Sequence, residues 1–220
     1  MRKVLAALAS LALLGGAAFA AEPKTDEEKT LYVMGQIVGL QLGGMQLSPE
    51  EAALVAQGLQ DALLRRPAAV DPAGYSRQKI ELLRADRRKK LEAARKVLSD
   101  AFVAEEAKKP GAQKTVSGSL YFELQPGTGD SPAQGSTVKV HYRGTLFDGG
   151  EFESSYKRGK PAEFPLNAVI PCWTEGVMRM KVGGKARLVC PPEAAYGSMG
   201  QPGIPGNSAL VFEVELLAVK

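Results

Sequence analysis

Histidine occurs once, at position 141, and cysteine only twice, at 172 and 190, in a chain of 220 residues. So few soft ligands leave no standard zinc site, which draws four groups from Cys, His and acidic residues. Any Ser-His-Asp or Cys-His mechanism would rest entirely on His141. The formal charge is +4, and Arg2 and Lys3 supply two of those charges. So small a surplus is not the footprint of a nucleic-acid binder. Hydrophobic residues at 45% and charged residues at 24% are ordinary globular values, which rules out wholesale disorder.

One segment stands apart. Residues 1–20 begin with Arg2 and Lys3, continue as an apolar run over 4–14, and end Ala18-Phe19-Ala20. This is the basic start, apolar middle and small-residue cleavage site of a secretory signal, with cleavage expected after Ala20. The run is too short for a membrane span of about 20 residues, and no other segment is apolar enough to cross a bilayer. No cysteine lies near the cleavage site, so a lipoprotein signal is absent. The chain is expected to act after export, in an oxidising compartment, with no membrane span.

The remainder divides by composition. Residues 22–115 hold 7 of the 24 glycines and three aromatics, whereas 116–220 hold 15 glycines, 9 of the 14 prolines and ten aromatics. The first part reads as helix and the second as strands and turns, an α+β chain. The expected organisation is a helical domain over 21–71, a long helix over 72–109, a linker over 110–115 and a strand-rich domain over 116–220. Thr25-Asp26-Glu27-Glu28 and Ser48-Pro49-Glu50-Glu51 are capping boxes, and Asp71-Pro72 offers a third helix start. Gly35, Gly39 and Gly43 fall at four-residue spacing on one face. Interior glycines cost about 1 kcal/mol each, so close helix packing, within the chain or across a dimer seam, is the expected compensation. A helix over 72–109 would extend about 57 Å. That is far longer than a small domain with a radius of gyration near 13 Å. Its middle, 84–90, has Ala85 as its single apolar residue, so it should run through solvent between packed ends.

In the second part, 137–143 alternates cleanly. Val138, Val140 and Tyr142 share one face of a strand, and Lys139, His141 and Arg143 the other. Tyr142 is therefore aimed inward, and the one histidine lies on the polar side. Gly183-Gly184-Lys185 is not a phosphate loop, because the first glycine and the hydroxyl residue are missing.

Five segments then follow in order: Val138-Lys139-Val140-His141-Tyr142-Arg143-Gly144, Phe152-Glu153-Ser154-Ser155, Val169-Ile170-Pro171-Cys172-Trp173-Thr174-Glu175-Gly176, Ala195-Tyr196-Gly197, and Leu210-Val211-Phe212-Glu213-Val214-Glu215-Leu216. Together they resemble the FKBP family, peptidyl-prolyl cis-trans isomerases that bind macrolides such as rapamycin. The resemblance covers about 116–220. The helical part, through Gly58-Leu59-Gln60-Asp61-Ala62 and the long helix, resembles the dimerisation domain of the bacterial macrophage infectivity potentiator-type members. It implies a homodimer formed through 21–71.

The resemblance implies a half-barrel antiparallel sheet wrapped on one short helix, with a shallow apolar pocket between them. Tyr142, Phe152, Glu153 and Tyr196 would be the catalytic set. Val169, Ile170, Trp173, Ile204 and Phe212 would bind substrate, with Trp173 as the floor. The Ile170 N–H and Tyr196 hydroxyl would hydrogen-bond peptide carbonyls. No cofactor or metal is implied, and the partners would be proline-containing, incompletely folded proteins in the periplasm or outside the cell. Four positions depart from the family pattern: Glu153 stands for the usual aspartate, Cys172 for a common glycine, Ala162 where some members have phenylalanine and Gln201 where some have histidine. Cys172 would open the short helix and Cys190 would end a strand, so a disulfide is expected, with two buried thiols as the alternative.

The chemistry suits such a pocket. Twisting an X–Pro bond meets a barrier of about 18–20 kcal/mol because amide resonance is lost. A millionfold acceleration needs roughly 8 kcal/mol of preferential binding to the twisted amide. That form is less dipolar, so a dry aromatic cavity favours it. The competing reading is a chaperone or binding module that holds prolyl peptides without turning them over.

Overall fold

The computed structural model describes residues 22–220, and the signal segment expected at 1–20 lies outside them. The chain divides into two compact units that meet between Leu63 and Leu64.

The first unit holds α1 (Asp26–Gln41), a 3-10 turn at Gly43–Met45 and α2 (Pro49–Leu63). Both capping boxes form. The Thr25 hydroxyl accepts the Glu28 N–H at 3.2 Å while Glu28 accepts the Thr25 N–H at 2.9 Å. Ser48 and Glu51 repeat the exchange at 3.3 and 2.9 Å. Gly35 and Gly39 lie in α1, but Gly43 falls in the turn. A Cβ at any of the three would meet no atom within 4 Å among the described residues. Close packing against the other described residues of this unit is therefore not what these glycines serve. Neither helix buries a residue, and Leu31, Tyr32, Met34, Ile37 and Leu40 are all more than half exposed.

The second unit contains the long helix α3 (Arg77–Glu106), about 45 Å by its 30 residues. It starts later than the expected 72. Asp71 caps a separate 3-10 turn at Pro72–Gly74, Tyr75 leaves helical geometry, and Ser76 caps the helix proper. It also ends before 109. The helix is unbroken through 84–90, where Arg84–Glu81, Lys90–Asp86 and Arg88–Glu92 pair one turn apart. Such exposed pairs contribute a few tenths of a kcal/mol each, enough to favour a solvated helix over an apolar one here.

Seven strands follow: β1 (Gln113–Lys114), β2 (Leu120–Gln125), β3 (Thr137–Leu146), β4 (Glu151–Ser154), β5 (Ala162–Pro165), β6 (Lys185–Cys190) and β7 (Leu210–Val219). Every pairing is antiparallel, in the order β1-β2-β6-β7-β3-β4, with β5 on the first half of β3. The expected linker thus contributes an edge strand, because Gln113 and Lys114 pair with Tyr121 and Leu120. The short helix α4 (Pro171–Val177) lies against one face of the sheet. Gly176 makes that approach possible, since a Cβ there would stand 2.5 Å from Leu188 Cδ2.

The face under α4 carries the main core: Val138, Val140 and Tyr142 of β3, Leu188 of β6, and Phe212, Val214 and Leu216 of β7. The opposite face carries a smaller core of Leu120, Phe122 and Val189, covered by Phe102 and Val103 from the last turns of α3. His141 sits on that reverse side, stacked on Tyr156 at 4.6 Å with Nδ1 3.0 Å from Ser155 Oγ.

Candidate active site

The loop before α4 is shaped by proline. Pro171 occupies the first helical turn and holds Ile170 extended (φ −60°, ψ 149°), as a residue before proline must be. The Thr174 hydroxyl donates to the Leu166 carbonyl at 2.7 Å and ties the loop back to the helix. These constraints point Trp173 toward the sheet, where it is 4% exposed.

Trp173 is met edge-on by three rings. Its centroid lies 5.2 Å from Tyr142, 5.5 Å from Phe164 and 5.3 Å from Phe212, with interplanar angles of 89°, 81° and 90°. Edge-to-face pairs bring a positive ring edge onto a negative face and add about 0.5–1.5 kcal/mol beyond area burial. Phe152 extends the set against Phe212 at 5.7 Å. Gly144 leaves room for both, since a Cβ there would stand 2.7 Å from Phe152 and 3.0 Å from Phe212. Above the indole lies an open cavity of about 310 Å³.

Of the nine residues the sequence nominates, eight line this cavity: Tyr142, Phe152, Glu153, Val169, Ile170, Trp173, Tyr196 and Phe212. Ile204 does not. It is 3% exposed and packed into the core, while Gln201, with which it exchanges two backbone hydrogen bonds at 2.8 and 2.9 Å, reaches the cavity instead. Phe164 and Ala168 are further lining residues. Phe164 carried a usable signal, an aromatic on an alternating strand, whereas Ala168 carried none.

A charged corner closes one side. The Arg158 guanidinium bonds the Glu153 carboxylate, donates to the Tyr142 hydroxyl at 3.4 Å and lies 5.5 Å over the Tyr142 ring. The hydrogen bond to Tyr142, together with the Glu153 charge, raises the Arg158 pKa above its ordinary value. Arg158 sits in a turn three residues after the Phe152–Ser155 motif, and nothing in the local pattern singles it out. Beneath α4, Cys172 and Cys190 are joined as a disulfide, Cα atoms 5.5 Å apart and both side chains fully buried. The bond fastens the first turn of the helix to the end of β6.

Two donors belong to residues that line the cavity. Among the described residues, neither the Ile170 N–H nor the Tyr196 hydroxyl donates to another group of the chain. No cluster of three potential metal ligands occurs among them either.

An antiparallel half-barrel closed on one short helix, with an aromatic cavity at the seam, defines the FKBP class of prolyl isomerase. The comparisons agree. Residues 129–217 match the family model described as FKBP-type peptidyl-prolyl cis-trans isomerase, and 27–123 match the domain amino-terminal to it. The chain is 40% identical over 214 residues to FkpA of Escherichia coli K12, spanning 90% of this chain and 77% of that one. It is 37% identical over 230 residues to Mip of Coxiella burnetii, spanning 100% and 98%. The crystal structure of FkpA from Escherichia coli superposes with a TM-score of 0.64 at 37% identity, covering 90% of this chain and 98% of that one. The protein belongs to the FKBP-type peptidyl-prolyl cis-trans isomerases.

Proposed function

We propose that this isomerase acts on exported proteins during their folding, as a homodimer whose pockets face unfolded clients. The observation that carries the reading is the pair of unused donors, Ile170 N–H and Tyr196 hydroxyl, on a cavity floored by Trp173. A proline ring seats on the indole. The two donors hold the carbonyls that flank the X–Pro bond, and the apolar walls favour the less dipolar twisted amide. Phe152, Tyr142 and Phe212 form the walls, and Glu153 with Arg158 fixes the Tyr142 hydroxyl. Macrolides such as rapamycin would compete for the same cavity.

Export is supported by the composition of 1–20 and by a buried disulfide, a bond that persists in oxidising compartments. Dimerisation is supported by the first unit. Its groove of about 320 Å³ between α1 and α2 is lined by Gly35, Val38, Gly39, Val55 and Leu59, beside the exposed apolar side chains of α1. Patches of that kind mark an interface, and a second copy of the same two helices is the occupant. Two pockets on one assembly raise the effective concentration of a long client without new contacts.

The deciding experiment is a coupled assay on a proline tetrapeptide, with and without rapamycin, beside a proline-limited refolding reaction. Shortening of the slow refolding phase together with peptide turnover supports the reading. Suppressed aggregation with an unshortened slow phase would instead establish a holding chaperone.

A further inference from the structure

The loop that carries Tyr196 and Gln201 to the cavity is anchored at both ends to α3, more than 90 residues earlier in the chain. At its start, the 3-10 turn Pro192–Ala194 presents Glu193 to Lys96 at 3.0 Å. At its end, the Ser99 hydroxyl donates to the Asn207 carbonyl at 2.7 Å and accepts the Ala209 N–H at 2.9 Å. The Asn207 side-chain amide donates in turn to the Glu92 carbonyl at 3.3 Å. Ser99 is fully buried. Asn207 is the residue that closes the loop: its φ is +60°, and its N–H donates to the Gly197 carbonyl at 2.9 Å.

We propose that α3 is a splint for the substrate loop, and that Ser99 and Asn207 are positioning residues for prolyl-peptide binding. This rests on reading the Trp173 cavity as the isomerase site. A serine hydroxyl inside a helix ordinarily bonds its own helix or water. Here it replaces water for two backbone groups at the end of a glycine- and proline-rich loop whose own backbone bonds are turn contacts and one isolated bridge, Gln201 with Ile204. Glycine at 197, 200 and 203 holds positive φ, and Gly200 and Gly206 pack against the loop's own backbone, so the loop is a compact unit and its bonds to α3 determine how often that unit stands in the binding-competent position. When the competent fraction falls, apparent affinity falls by the same factor. The complex, once formed, is unchanged. The signature is therefore a higher KM at constant kcat.

The test uses the full chain carrying Ser99→Ala, and separately Asn207→Gly, which keeps the positive φ, removes the side-chain bond to Glu92 and adds some backbone freedom. Peptide kinetics and amide hydrogen exchange are both measured. We expect KM to rise about threefold to tenfold with kcat within twofold in Ser99→Ala, and a smaller rise in Asn207→Gly. Exchange across 197–207 should quicken about tenfold while β6 amides at 185–190 keep their wild-type rates. Unchanged KM and unchanged loop exchange in both variants would overturn the proposal. So would exchange that quickens throughout the sheet, since Ser99 would then be a general stability contact. If the wild-type chain fails to turn over the peptide, the pocket reading falls. The exchange measurement still decides whether α3 restrains the loop.

Discussion

Cys172 and Cys190 are bonded across an 18-residue separation, so that the first turn of α4 cannot leave the end of β6. Trp173, the floor of the cavity, is the next residue along. The bond therefore sits directly under the site, although neither sulfur is exposed to it.

Reduction should destabilise the protein without abolishing activity at 25 °C. Closing a loop of this size is worth about 3 kcal/mol in the chain-entropy model. The Gly176–Leu188 contact still holds α4 on the sheet. Urea denaturation with and without reductant measures the difference. Equal midpoints would show that the bond adds nothing.

The cavity walls should not be equivalent. Phe152→Ala removes apolar wall and the edge contact to Phe212, and should lower kcat/KM about tenfold or more. Tyr196→Phe removes one neutral hydrogen bond worth about 0.5–1.5 kcal/mol, a loss of roughly twofold to tenfold. Glu153→Asp keeps the carboxylate for Arg158 and should be mild. Circular dichroism checks folding. Wild-type kinetics in both of the first two variants would move the site elsewhere.

Acid should loosen α3 from the sheet. Glu106 is buried, and the Arg187 hydrogen bond at 2.7 Å, aided by Lys109 and opposed by desolvation, holds its carboxyl below the ordinary 4.5. A depressed folded pKa gives stability that is full above the unfolded value and is lost as pH falls through the folded one. Glu106→Gln should thus be destabilised at pH 7. The cost should fall below the about 3–5 kcal/mol of a fully buried pair, because the Arg187 side chain is 23% exposed. The gap between variant and wild type should begin to narrow near pH 4.5 and go on narrowing as pH falls through the lower folded value. A gap of constant size from pH 7 to pH 3 would contradict this assignment.

Truncation should separate two roles that a cut at 116 would confuse. A fragment from 76 to 220 keeps Ser99, Phe102, Val103 and Glu106 against the sheet. It should be monomeric by light scattering and match the full chain on a short peptide, yet lose its advantage on a whole unfolded protein. A fragment from 116 to 220 uncovers Leu120, Phe122 and Val189, each worth about 1.5–3 kcal/mol when buried. It should melt earlier and bind peptide less tightly. A dimeric 76–220 fragment would place the interface outside α1 and α2.

Much of this was legible one residue at a time. Alternation along 137–143 set Tyr142 inward and His141 outward, because side chains on a strand point to opposite faces by geometry alone. Thr25 with Glu28 and Ser48 with Glu51 fixed two helix starts through hydrogen bonds that span three residues. The aromatic identities of 142, 152, 173, 196 and 212 already specified an apolar cavity once their order matched a known family.

Tertiary structure decided what those local rules cannot reach. Periodicity and capping act over a few residues, whereas Trp173 meets Tyr142, Phe164 and Phe212 only when α4, β3, β5 and β7 are placed together. Ile204 has the apolar character of a lining residue, but its backbone pairing with Gln201 turns it into the core and gives Gln201 the cavity. Arg158 lies in a turn after β4, and it is the fold that returns its guanidinium to Glu153 and the Tyr142 hydroxyl. Nothing in the local pattern distinguishes Ser99 from the other polar residues of α3. Only the packing of α3 on the reverse face of the sheet removes its water, and a hydroxyl without water must bond the nearest unpaired backbone groups, here Asn207 and Ala209.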